Sequence, residues 1–198
     1  MRNHIRDALV RVVRRNRGTA GDIANLSHVT IRDVIKEAGI STGTFYRYFE
    51  DRSDLTQLLW VEPVDALRAA MRADFEAAQD PEEKVRCLLQ NYAKFAVENR
   101  QFFRTIFMFV RPETSEPPTQ MVLHEEPFYS GLCEAFVEGQ TSGTFRDFDP
   151  NEMAQTFWAA IHGSLALPEN LDRLPFDSPK TLSDRMIDSL IELIKLSN

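Results

Sequence analysis

The chain carries only two cysteines, Cys87 and Cys133, in 198 residues. They lie far apart in sequence, which disfavours a disulfide scaffold or a zinc-binding pair and fits two buried thiols in a reducing cytoplasm. No stretch approaches the roughly 18 apolar residues that a membrane-spanning helix requires. Charges are scattered through the first 17 residues, so the apolar heart of a secretion signal is missing as well. The expectation is a cytoplasmic protein with no membrane partner. Also absent are a phosphate-cradling glycine loop, a Gly-x-Ser-x-Gly elbow and a cysteine pair at metal spacing. His124-Glu125-Glu126 with His162 is the one conceivable metal set, and solvated loop charges plus a packed histidine explain it without a metal. Nothing here builds an enzyme, and no cofactor is implied.

Acidic residues outnumber basic ones, and the net charge of −7 is a poor match for nucleic acid at first sight. Its distribution reverses that impression. Residues 1–60 carry a net charge of +3 and residues 61–198 carry −10. Arg2, Arg6, Arg11, Arg14, Arg15 and Arg17 face a single acid, Asp7, in the first 17 positions. A basic head on an acidic body suits a protein that meets a polyanion with one end. A solvated basic helix face is the plainer account of the head taken alone.

Strand signals are weak throughout, and the periodicity predicts an all-α chain of about nine helices. Ile5, Ala8, Leu9, Val12 and Val13 fall on one helical stripe. Thr30, followed by Asp33, reads as the cap of a short helix ending at Ala38, with Gly39 as its stop. Ser41 or Thr42 opens the next helix, to about Phe49. Longer helices follow over 53–78 (with a kink or break near Pro63), 81–98, 100–110, 120–139 (interrupted at Pro127), 150–167 and 178–196. Residues 112–119 and 141–149 read as loops, and Pro168 to Pro175 as a turn-rich link. The domain division is 1–55 and 56–198.

Residues 30–49 carry the chemistry. Ala38-Gly39-Ile40 supplies a small residue, a tight-turn glycine and an apolar plug, as the corner of a helix-turn-helix requires. Ile31, Val34, Ile35, Ile40, Phe45 and Phe49 can form the core beneath it. Ser41-Thr42-Gly43-Thr44 are small and mostly hydroxylic, so the second helix can bring its free N–H groups close to phosphates. Gly43 costs about 1 kcal/mol of helix propensity relative to alanine, a cost that close backbone approach explains. Tyr46, Arg47 and Tyr48 add a positive charge and phenols that reach phosphates or base edges. A pair of packed helices with an aromatic patch is the bland alternative.

The order of residues goes further. Thr30 through Ala38-Gly39-Ile40-Ser41-Thr42-Gly43-Thr44-Phe45-Tyr46-Arg47-Tyr48-Phe49 to Asp54-Leu55 resembles the signature of the tetracycline-repressor (TetR) family. That likeness directly covers about residues 5–60. Trp158-Ala159-Ala160-Ile161-His162-Gly163 looks like a recurrent stretch of the family's dimerising helices. The resemblance implies a homodimer that binds a palindromic operator in double-stranded DNA and represses until a small-molecule effector enters the larger domain. Carried over by position, it implies that Thr30 meets a phosphate. Thr42, Thr44 and Arg47 would then face bases or flanking phosphates, Tyr46 would touch the backbone, and Arg52 would grip a phosphate. Arg32, Ser41 and Gly43 complete the candidate DNA-contacting set. Eleven residues separate Gly18 from Thr30, a longer link than the family pattern leads one to expect.

Any single aromatic residue beyond position 61 is best explained as core. As a group they are compatible with an apolar cavity, for which Tyr92, Phe95, Phe103, Phe107 and Phe128 are the candidate lining and a lipophilic molecule the candidate ligand. Phe157, Ile161 and Leu165 form one apolar stripe, and Met186, Leu190 and Ile194 another. Each helix can cover its own domain with one arc and a partner with the other, so these six residues are the candidate dimer interface. The competing functional reading is a helical adaptor whose basic head binds an acidic protein.

Overall fold

A computed structural model describes residues 1–15, 29–50, 55, 61–100, 103, 122–171 and 173–196. The expected helix over 100–110 (apart from Arg100 and Phe103), the loop over 112–119, and the link from Gly18 towards Thr30 lie outside the described residues. So do two of the candidate site residues, Arg52 and Phe107. Among the described residues there are eight α-helices and one 3-10 turn, and the only β-type pairing is an isolated bridge between Phe145 and Lys195. The chain divides into two compact units, Met1–Asp65 and Ala66–Asn198.

The first unit contains α1 (Arg2–Arg15), α2 (Ile31–Ala38) and α3 (Thr42–Tyr46). The stripe on α1 is its core face: Ile5, Ala8 and Leu9 are fully buried, and Val12 and Val13 nearly so. They pack with Val29, Val34, Ala38, Phe45, Phe49 and Leu55, while Ile31, Ile35, Ile40 and Tyr48 cover the edges. Thr30 caps α2 in a capping box: its hydroxyl accepts the Asp33 N–H, and the Asp33 carboxylate accepts the Thr30 N–H. Gly39 closes the helix at φ +64°, a left-handed conformation that any residue with a Cβ adopts at a cost. His4 Nε2 donates to the Ala38 carbonyl at 2.8 Å and so satisfies one of the last carbonyls of α2. The second motif helix is shorter than expected, because regular structure stops at Tyr46 and gives way to turns that bring Phe49 back onto Phe45, ring centroids 5.3 Å apart.

Five helices follow: α4 (Val61–Ala77), α5 (Pro81–Glu98), α6 (Pro127–Thr141), α7 (Pro150–Asn170) and α8 (Pro179–Ile194). The 3-10 turn Leu123–Glu125 precedes α6. Four of these helices begin with proline. That position needs no intrahelical N–H, and the fixed φ of proline suits the first turn. Asp80, Asp149 and Ser178 cap α5, α7 and α8 through their side chains. Pro63 lies within α4, whose described part runs from Val61 to Ala77. Pro168 departs from expectation, since α7 runs through it to Asn170. Only the final turn lies beyond the proline, and the Leu171 N–H closes that turn on the Leu167 carbonyl at 3.0 Å.

Within the second unit α5 packs against α6, α7 and α8, and α7 pairs with α8. The core between them is built from Leu89, Leu132, Phe136, Phe157, Ile161, Ile191 and their neighbours. Gly139 lies against the Phe145 ring so closely that a Cβ there would stand 2.0 Å from ring Cδ2. Arg146 ties the following loop to the end of α8, its N–H on the Ile194 carbonyl and its Nε on that of Leu193. Cys87 and Cys133 are free thiols, half-buried instead of fully buried as expected.

Candidate functional site

In the first unit, α2 and α3 flank a surface groove of about 690 Å³ lined by Val29, Thr30, Ile31, Arg32, Ile35, Thr42 and Tyr46. The groove brings together four of the residues chosen from sequence: Thr30, Arg32, Thr42 and Tyr46. Ser41 is the cap of α3. Its Oγ accepts the Thr44 N–H at 3.1 Å and shares a hydrogen bond with the Thr44 hydroxyl at 2.9 Å. The Ser41, Thr44 and Thr30 hydroxyls are therefore already engaged in holding the two helix starts. Thr30 also donates to Asp33 Oδ2 at 2.6 Å, and these hydrogen bonds hold the Asp33 carboxyl below its ordinary 3.8.

What remains outward is a small set. Thr42, Gly43 and Arg47 are exposed, as is Tyr46 at 54%. A Cβ added at Gly43 meets nothing nearer than Ser41 Oγ at 4.0 Å, so no packing within the unit demands glycine there. Arg32, Arg47 and Lys36 are exposed and make no ion pair with any described residue. Lys36 is absent from the sequence-derived set. It follows Arg32 by four positions, hence lies on the same helix face, and that spacing could have found it. The N-terminal arginines behave differently. Arg11 Nε lies 2.8 Å from Glu37 Oε1, and Arg15 pairs with the other oxygen of the same carboxylate. The hydrogen bond from Arg11, and then that from Arg15, hold the Glu37 carboxyl below its ordinary value. Part of the basic head is thus spent on joining α1 to α2.

In the second unit Tyr92, Phe103 and Phe128 come together. Tyr92 stacks on Phe128 at 4.9 Å and meets Phe103 edge-on at 6.2 Å. Trp158 and His162, one turn apart on α7, complete the cluster. Trp158 lies 5.4 Å from Phe128, and His162 lies 5.1 Å from Phe103. The Tyr92 hydroxyl and His162 Nδ1 share a hydrogen bond of 2.9 Å. Burial pushes the Tyr92 phenol up to about 12 and His162 below its ordinary 6.5, so both are neutral near pH 7. Sequence reasoning placed Trp158 among the core aromatics and His162 in a discounted metal set. Both also belong to the stretch Trp158 to Gly163, which resembles the family's dimerising helices, and their i, i+4 spacing puts them on one helix face. Phe95 is buried but shows no ring contact with this cluster among the described residues. His124 packs edge-on against Tyr129 instead, and the described residues contain no group of three metal-ligating side chains.

The apolar stripes of α7 and α8 require a correction. Phe157, Ile161, Leu165, Leu190 and Ile194 are 0–6% exposed within their own unit, so the chain itself covers them and they cannot present a surface to a partner. Met186 alone of the six is half-buried. The strongest apolar periodicity marks the core face, and the surface left over is the flanking arc. On α7 that arc carries Ala159, Gly163 and Leu167; on α8 it carries Leu182, Met186 and Leu193.

Comparison with known proteins agrees with this architecture. The family model for bacterial regulatory proteins of the tetR family matches residues 25–59, and that for the tetracyclin repressor-like C-terminal domain matches residues 85–190. No curated protein matches the chain. Among solved structures, the transcriptional regulator FadR from Bacillus subtilis, in complex with stearoyl-CoA, superposes with a TM-score of 0.65 at 18% identity, covering 98% of this chain and 100% of that one. A transcriptional regulator of the TetR/AcrR family from Thermobifida fusca gives 0.64 at 17% identity, with 96% of each chain covered. A candidate transcriptional regulator from Saccharomonospora viridis, in complex with choline, gives 0.59 at 17% identity, with 99% and 98% covered. At these identities the structures speak for the fold, while the two family models carry the assignment. The chain belongs to the tetR family of bacterial regulatory proteins.

Proposed function

We propose that this regulator binds a palindromic DNA operator as a homodimer and represses transcription until a small molecule occupies its C-terminal unit. The observation that carries the DNA reading is the outward face of α2 and α3. Arg32, Lys36 and Arg47 stand beside Thr42 and Tyr46 without an ion pair to any described residue, and a Cβ added at Gly43 would meet no described atom nearer than Ser41 Oγ at 4.0 Å. A glycine kept in a helix without an internal reason suits a surface that something external approaches at backbone distance. Thr30 and Ser41 act mainly by fixing the two helix starts, with their first-turn N–H groups available to phosphates. Arg52 belongs to the same proposal by position alone.

For the dimer, the supporting surface is the flanking arc of α7 and α8. A Cβ added at Gly163 meets nothing within 4 Å, which leaves room for a facing helix to approach closely. Leu167 and Leu193 are 44% and 47% exposed, apolar area that a second copy would cover. For the effector, the complexes of FadR with stearoyl-CoA and of the Saccharomonospora protein with choline support a ligand-bearing C-terminal unit. In this chain the Tyr92, Phe103, Phe128, Trp158 and His162 cluster is the corresponding candidate, apolar with one polar pair inside it.

The test is operator selection from a random duplex library, followed by anisotropy titration. One preferred palindrome is expected, with half-sites about 34–36 Å apart or somewhat more. Arg47→Ala should weaken that complex by roughly ten- to hundredfold, about 1–3 kcal/mol for a lost base or phosphate contact. Unchanged operator affinity in both Arg47→Ala and Tyr46→Ala would remove the motif from the interface. The adaptor reading gains no support from a specific observation.

A further inference from the structure

A cavity of about 270 Å³ lies in the second unit, at the junction of the C-terminal end of α5 with the end of α7 and the start of α8. Its floor is apolar, formed by Ala96, Phe103, Leu165 and Pro179, and its rim is charged, formed by Arg100, Lys180 and Glu169. Phe103 also belongs to the aromatic cluster around Tyr92 and His162, so the cavity adjoins that cluster through a shared ring.

The rim is asymmetric in what it offers. The Glu169 side chain is only 8% exposed, and one of its oxygens accepts Arg100 Nε at 2.6 Å. Arg100 is itself 64% exposed, and its terminal Nη groups make no hydrogen bond with any described residue. A buried carboxylate therefore fixes the guanidinium from behind, and no described residue takes up the donors of its terminal fork. Lys180 is 73% exposed and uses one donor on Asp184 at 2.7 Å, which leaves two. Among the described residues the mouth thus offers donors on two cations, while one oxygen of the adjacent Glu169 is held by Arg100. An anion with two oxygens matches that fork, and an apolar body matches the floor.

We infer that this cavity binds a small amphipathic carboxylate, its head on Arg100 and Lys180 and its hydrocarbon or aryl body against Phe103 and Leu165. Size sets the class further. The volume is at the lower edge of the roughly 300–1,000 Å³ typical of small-molecule pockets. A short-chain, branched or aryl carboxylate fits, and a long-chain acyl-CoA does not. The inference rests on the effector reading for its regulatory meaning but not for the binding itself.

The test uses the full-length protein, with octanoate and phenylacetate as probes and octanol and 2-phenylethanol as their uncharged counterparts. Affinity is read by calorimetry, and melting temperature by thermal scan. The carboxylates are expected to bind saturably and raise the melting temperature, and the alcohols to bind roughly ten- to hundredfold more weakly for want of the charged hydrogen bonds. Lys180→Gln changes an exposed side chain that the fold does not need, and it should weaken carboxylate binding about tenfold. Arg100→Gln keeps a donor for Glu169 and should weaken binding at least as much. Equal binding of acids and alcohols, unchanged affinity in both variants, or no binding of either acid at millimolar concentration each overturns the proposal. Operator binding is measured alongside. Carboxylate binding that leaves DNA affinity unchanged refutes the effector role and keeps the site. Release of DNA by choline or stearoyl-CoA with no carboxylate binding keeps the effector role and refutes the site.

Discussion

Gly43 and His162 show how much a single residue can decide. Gly43 is a helical glycine whose missing side chain leaves open space, so Gly43→Ala lowers the backbone entropy lost on folding. The variant is expected to stabilise the first unit by about 0.5–1 kcal/mol while weakening operator binding. Thermal unfolding and anisotropy, run on the same sample, should move in opposite directions; parallel losses would point to an ordinary folding role. His162 is half-buried in an aromatic cluster, and burial lowers its pKa. Above its ordinary 6.5 the folded and unfolded chains both hold it neutral, and it contributes no pH dependence. As the pH falls below 6.5 the unfolded chain takes up the proton first, so stability declines through that window. Urea titrations from pH 7.5 to 5 should show this decline, and His162→Gln should flatten it.

At the scale of elements, the helix-turn-helix was legible because its signals are local. The Thr30 and Asp33 box, the Gly39 stop and the Ser41 cap each lie within four residues of what they control, and each appears in the structure. Gly39→Ala should cost about 1–3 kcal/mol, because alanine resists φ +64°. A loss well under 1 kcal/mol in urea unfolding would mean that the corner relaxes easily. Pro81, Pro150 and Pro179 were legible as helix starts for the same local reason, whereas Pro127, expected to interrupt a helix over 120–139, opens α6 instead. Pro168 was not legible, because a proline one turn before a helix end costs only what that final turn loses, and tertiary packing decides whether the turn persists. The dimer stripe failed on a different ground. Hydrophobic periodicity reports which arc is buried, yet it is silent on whether the chain or a partner buries it. Phe157 and Ile161 carry the strongest signal on α7 and are wholly internal. The aromatic cluster was half legible. Tyr92, Phe103 and Phe128 were chosen by type, but only tertiary structure brings Trp158 onto Phe128 and His162 onto Tyr92, the latter from 70 residues away.

For the whole molecule, each unit has a core of its own, and the functional proposals divide between them accordingly. The dimer proposal belongs at this scale. Leu167→Glu with Leu193→Glu places charges on the outer arc of α7 and α8 without entering either core. Sedimentation should show a dimer for the parent and a monomer for the double variant, with operator affinity falling as the two heads lose their linkage. A parent that sediments as a monomer at micromolar concentration would sink the proposal.

Glu37 has a consequence for how the protein searches DNA. By pairing with Arg11 and Arg15 it offsets one of their two positive charges, lowering the charge that can displace counter-ions from a duplex. Each phosphate contact releases about 0.9 of a monovalent ion, so a head whose charge is lowered in this way binds random sequence less tightly than one without the carboxylate. Glu37→Gln should steepen the dependence of binding on salt and raise affinity for random DNA more than for the operator. On the proposed mode of binding, the carboxylate at the α1–α2 joint is expected to act as a brake on indiscriminate binding, shortening the time spent on the wrong sequence.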